Sequence, residues 1–76
     1  MPTLFRCGKV AIRMFRDDHE PPHFHIWTPD LEMMVALAGL STLRGNLRKR
    51  DYEIAMAWAR SNLDLLRERW TELNDQ

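Results

Sequence analysis

Asp17-Asp18-His19-Glu20-Pro21-Pro22-His23-Phe24-His25-Ile26-Trp27 is the stretch on which the reading of this chain turns, because it holds all three histidines and two of the four prolines. Each proline biases the residue before it away from helix, and neither ring has an N–H for a sheet ladder. Glu20 to Pro22 is therefore expected to be a stiff extended lead-in. From His23 the side chains alternate as in a strand: His23, His25 and Trp27 on one face, Phe24 and Ile26 on the other. One face reads as core and the other as chemistry or contact.

Working outward, residues 2–8 read as a short edge segment ending in a turn at Gly8. Lys9 to Phe15 reads as a strand with Val10, Ile12 and Met14 on its apolar side and Ala11, Arg13 and Phe15 on the reverse. Thr28-Pro29-Asp30 is a hairpin turn, and a further strand follows from Leu31 to about Leu37. Face matching groups Val10, Ile12, Met14, Phe24, Ile26, Met33, Val35 and Leu37 under a helical cover. Arg13, Phe15, His23, His25, Trp27, Glu32 and Met34 fall on the open face, which is more apolar than hydration favours and so implies contact.

Residues 38–47 contain Gly39, Ser41, Gly45 and Asn46 and read as a loop. Beyond it, Tyr52, Ala55, Met56, Ala59, Leu63, Leu66, Trp70 and Leu73 follow one another at three or four, the seam of an amphipathic helix. Ile54, Trp58 and Leu65 form a second stripe, read as a wide buried face or as a partner groove. Ser61-Asn62-Leu63-Asp64 has the spacing of a capping box, so one long helix and two short ones both fit. The expected architecture is α+β: a three- or four-stranded antiparallel meander with the C-terminal helix or helices packed on one sheet face.

With 76 residues the chain forms one domain, 1–76, with a narrow margin of stability that a partner or a second copy would widen. No apolar run approaches the roughly 18 residues that span a bilayer, nothing marks the N-terminus for export, and one cysteine, Cys7, cannot form an internal disulfide. The expectation is a soluble cytoplasmic protein with Cys7 as a small buried residue. The net charge is zero, which argues against a general nucleic-acid coat. Yet residues 1–16 hold Arg6, Lys9, Arg13 and Arg16 without an acid, and residues 41–50 hold Arg44, Arg48, Lys49 and Arg50. Two all-basic segments can converge on a local anion site, or can simply be solvated on separate faces. Arg48, Lys49 and Arg50 oppose the helix dipole by about 0.3–1 kcal/mol each at exposed sites, which hints at an anion there.

The opening Met-Pro-Thr-Leu-Phe-Arg, the block Asp18-His19-Glu20-Pro21-Pro22-His23-Phe24-His25, and a C-terminal helix with Asn62, Leu66 and Trp70 resemble small bacterial proteins catalogued as domain of unknown function 4160. The similarity spans essentially the whole chain, and the His-Glu-Pro-Pro-His-x-His block is its specific part. The resemblance implies a compact meander followed by helix. It also implies a partner encoded alongside, of the domain of unknown function 2442 family, in pairs proposed as toxin–antitoxin modules. This chain departs from the family's pattern in having Arg48 where a Ser-like helix cap is usual, and Met56-Ala57-Trp58 within a helix that is usually more polar.

Three readings of the histidines follow. In the first, His23 and His25, roughly 6.5–7 Å apart along a strand, do acid–base chemistry on RNA with His19 assisting. Arg13, Arg44, Arg48, Lys49 and Arg50 then bind phosphate and stabilise charge, with no metal or other cofactor. In the second, His23 and His25 bind one divalent metal such as zinc from the same face, with His19, Asp18 or Glu20 as third ligand. In the third, His19 caps the acidic turn and the strand histidines pack against a partner protein or a second copy. Phe15, Trp27, Met34 and Trp58 are the candidate interface residues. The leading expectation is the effector of a two-protein bacterial module acting on RNA. A non-catalytic, antitoxin-like partner is the runner-up.

Overall fold

The computed structural model describes residues 3–74. Five strands are followed by two helices: β1 (Thr3–Cys7), β2 (Val10–Arg13), β3 (His23–Trp27), β4 (Glu32–Ala36), β5 (Thr42–Gly45), α1 (Lys49–Ser61) and α2 (Leu63–Asn74). The strands pair antiparallel in the order β1-β2-β3-β4-β5. The class is the α+β meander expected, but with five strands in place of three or four.

The extra strand is β5, within the segment expected to be a loop. All four of its residues are exposed, so it carries no apolar alternation. Its place is set by the backbone instead. Gly45 has φ +80°, and a Cβ there would collide with the backbone carbonyl of Glu32. At the other end of the chain's sheet, β1 turns into β2 at Gly8, whose φ is +58°. Cys7, expected to be buried, is exposed at the end of that strand, where little apolar surface covers it.

The face assignment of the strands holds. Val10, Ile12, Met14, Phe24, Ile26, Met33, Val35 and Leu37 are buried in one cluster with Ala55, Met56, Ala59, Leu66 and Trp70 from the helices. Register places Ile12 beside Ile26 and Ile26 beside Met33, with Phe24 beside Val35. Tyr52, Trp58, Leu63 and Leu73 pack at its margin, and Trp58 stacks on Phe5 with ring centroids 4.9 Å apart. Of the second stripe, Trp58 thus flanks the core, whereas Ile54 lines a cleft beside Val10.

The helical region breaks at Asn62. Its side-chain amide donates to the Trp58 carbonyl at 2.9 Å, and its own carbonyl accepts from Leu66 N–H at 3.0 Å. Asn62 therefore closes one helix and opens the next, which decides between the one long helix and the two short ones that the Ser61-Asn62-Leu63-Asp64 spacing left open. Helix α1 begins at Arg48 without a side-chain cap, and Arg48 pairs with Asp30 at 2.8 Å. No helix among the described residues is long and apolar enough to cross a membrane.

Candidate functional site

The open face of the sheet is ordered by register. Arg13 lies opposite His25, His25 opposite Met34, and Met34 opposite Arg44, a row across four strands. Beside it runs a second row, Ala11, Trp27 and Glu32. The Arg13 guanidinium carbon lies 4.4 Å from the Trp27 ring centroid, a cation–π contact, while its Nε is buried and has no hydrogen-bond partner. Phe15 packs edge-on against His25 and tilts against Trp27. His25, Glu32, Met34 and Arg44 line a depression of about 190 Å³.

The segment before β3 is a bend, not an extended lead-in, and its Glu20–Pro21 peptide bond is cis. It carries Asp18 back over the sheet, against both strand histidines. Oδ2 of Asp18 lies 2.9 Å from Nε2 of His23 and 3.3 Å from Nε2 of His25. On the far side of each ring, Nδ1 of His23 meets the Pro21 carbonyl at 2.7 Å and Nδ1 of His25 meets Glu32 Oε2 at 3.1 Å. The same Glu32 oxygen accepts from the Trp27 indole N–H at 2.8 Å.

Asp18 is itself held from below. Its N–H donates to Asn74 Oδ1 at 2.6 Å, and the Asn74 amide donates to the Phe15 and Trp70 carbonyls at 3.4 and 3.2 Å. The end of α2 thus fixes the turn that presents the carboxylate. Burial of the Asp18 carboxyl acts to raise its pKa. The His19 N–H bond, the His25 bond and the charges of His23 and His19 outweigh that, holding it below 3.8.

The expected site residues separate into groups. His23 is fully enclosed, flanked by the His19 and Trp70 rings at 5.1 and 5.2 Å, whereas the alternation had set it on an open face. It begins its strand, where the bend and α2 cover it. His25 is 8% exposed and is the strand histidine that reaches a surface depression. His19 is exposed, its Nε2 3.7 Å from Asp18 Oδ1 and its Nδ1 3.2 Å from the Glu20 carbonyl. The two basic segments do meet, in two places: Arg13 and Arg44 share the open-face row, while Lys9, Arg48 and Arg50 line a separate cleft of about 430 Å³. Lys49 is exposed at the start of α1. Phe15, Trp27 and Met34 lie on the open face, but Trp58 belongs to the helical layer.

Asp18 and Glu32 are the residues that motif reading undervalued. Glu32 was within reach of it, since a short hairpin turn after Trp27 brings position 32 opposite position 27. Nothing in the sequence points to Asn74, which lies 56 residues from its partner.

A family model described as a domain of unknown function (DUF4160) matches residues 10–71. No curated protein and no solved structure matches the chain.

Proposed function

The chain belongs to that family, and from this premise we propose that it is the effector of a two-protein bacterial module, working in the cytoplasm on RNA at the open face around His25. The supporting observation is the row Arg13, His25, Met34, Arg44, with Glu32 against the same imidazole. Glu32, whose side chain is 54% exposed, is the base for a ribose 2′-hydroxyl. His25 in its imidazolium form returns a proton to the departing 5′-oxygen. Arg13 and Arg44 balance the charge that builds on the phosphorus oxygens. Phe15 and Trp27 offer π faces to the neighbouring bases, a sequence-tolerant contact. His23, enclosed, is a positioning residue that acts through Asp18. The cleft of Lys9, Arg48 and Arg50 receives a more distant stretch of the RNA backbone.

The second reading is a non-catalytic, antitoxin-like role, with the open face covered by a partner protein of the domain of unknown function 2442 family or by a second copy. The enclosure of His23 favours it, because a ring held on both sides suits architecture as well as chemistry. Induced expression in a bacterial host decides between them, with wild type beside His25→Ala and Glu32→Gln, all confirmed soluble. Growth arrest by wild type alone, with cut RNA in the arrested cells, is the expected result. Equal growth of all three strains would sink the effector reading for that host.

A further inference from the structure

His23 and His25 turn the same ring nitrogen toward the same oxygen. The Pro21 carbonyl facing Nδ1 of His23 can only accept, so that nitrogen carries a hydrogen. His25 has a carboxylate at each nitrogen, Glu32 at Nδ1 and Asp18 at Nε2, and the shorter contact, to Glu32, favours the hydrogen on Nδ1 of the neutral ring. In the neutral rings both Nε2 atoms then present lone pairs to Asp18 Oδ2, at 2.9 and 3.3 Å. The three atoms lie within 4.8 Å of one another. Asp18 Oδ1 is already engaged by the His19 N–H at 2.9 Å, which leaves Oδ2 for this convergence. His23 makes the point most sharply: its ring is fully enclosed, and Nε2 has no aligned hydrogen-bond partner despite its short distance to Oδ2. Three acceptors pressed together, one of them on a fully enclosed ring, repel unless a proton or a metal ion lies between them.

We propose that Asp18 Oδ2, His23 Nε2 and His25 Nε2 are the protein ligands of a divalent transition-metal ion of the zinc class, with a further coordination position left for water. Bonds of about 2.0–2.1 Å meeting at tetrahedral to octahedral angles separate donor atoms by roughly 2.9–3.4 Å, the range in which both contacts to Oδ2 fall. Two imidazoles and a carboxylate suit zinc or ferrous iron, whereas calcium and magnesium favour all-oxygen sets. The outer partners match as well. Metal-bound histidines donate their other N–H to a backbone carbonyl or a carboxylate, and Pro21 and Glu32 provide one of each. Phe15 and Trp70 wall the rings with apolar surface. Of the three candidates for third ligand, His19, Asp18 and Glu20, Asp18 is the one whose oxygen meets both strand histidines.

This inference stands apart from the RNA reading and meets it at one atom. An ion on Nε2 of His25 displaces the proton that the imidazolium would give to a leaving oxygen, so metal loading and RNA cleavage by that ring are mutually exclusive.

The test is a Co²⁺ titration of the untagged chain after chelator and desalting, followed by displacement with Zn²⁺, with circular dichroism to confirm the fold. The expected result is one cobalt per chain with ligand-field bands that one equivalent of zinc removes. Glu32→Gln, which leaves the three ligands in place, weakens binding by about 10–100-fold, and Asp18→Asn weakens it by at least about as much. His19→Ala binds as wild type does. A folded wild-type chain that takes up no cobalt, or binds it no more tightly than Asp18→Asn, overturns the proposal. So does loss of binding in a folded His19→Ala. If Asp18→Asn fails to fold, Glu32→Gln decides: undiminished affinity in that variant overturns the proposal and the stated weakening supports it. Growth arrest and RNA cleavage are not read here, so failure of the effector reading leaves this result intact.

Discussion

Asp18 is where the residue-scale arguments meet, since its two oxygens and its N–H contact three histidines and Asn74 between them. Its pKa is held below 3.8, which ties it to stability with a definite sign. A carboxyl whose folded pKa is depressed binds its proton less readily in the native state than in the unfolded chain. Its contribution is therefore complete above the unfolded value and disappears as pH falls through the folded one. In chelator, urea unfolding of wild type should lose stability as pH drops from about 5 to below 3.8. Asp18→Asn should start less stable and show a shallower acid slope. Equal slopes for the two proteins would mean that other carboxyls carry the acid transition. The histidine block itself was legible, because proline punctuation and strict alternation are local signals. That Asp18, and not the equally near Glu20, folds back onto the rings depends on Asn74 at the far end of the chain and has no local signal.

At the scale of elements, legibility followed apolar content. The strand from His23 to Trp27 was read with its observed bounds because Phe24 and Ile26 alternate with ring-bearing residues, and both are fully buried. Thr42-Leu43-Arg44-Gly45 alternates nothing against the core, so the edge strand β5 has the sequence character of a loop. That strand matters to function, since it contributes Arg44 to the open-face row. Its weak point is Gly45: a methyl group there meets the Glu32 carbonyl, and φ +80° is a region that L residues rarely adopt. Gly45→Ala is expected to cost about 1–3 kcal/mol and to release β5 before the rest of the sheet unfolds. Amide exchange should speed up at residues 33–35 and 42–45, with the β2–β3 amides still protected. Unchanged exchange across β4 and β5 would show that the edge absorbs the strain.

At the scale of the whole molecule, core and site are joined through α2. Its Leu66 and Trp70 complete the apolar cluster, while Leu73 and Asn74 bind the backbone of Asp17 and Asp18. The amphipathic seam predicted the first half of that arrangement from spacing alone. The second half is a tertiary contact between chain ends. A domain of this size is expected to be stable by about 4–11 kcal/mol, and truncating a buried leucine costs about 2–5 kcal/mol. Leu66 is fully buried, so Leu66→Ala should remove a large share of that stability and lower the melting temperature. A ligand that binds only the folded form restores stability as its concentration exceeds its dissociation constant, by about 2.7 kcal/mol at a hundredfold excess. Zinc at that excess should therefore raise the melting temperature of Leu66→Ala by about 10–20 °C, at 4–8 °C per kcal/mol for a domain this small. At the same zinc concentration the double variant Asp18→Asn/Leu66→Ala should gain about half as much or less, in line with its weaker binding. A rise of equal size in both proteins would place the ion's effect outside the cluster of Asp18, His23 and His25. The larger recovery in Leu66→Ala would show that the site and the core draw on the same folding transition, as the shared helix requires.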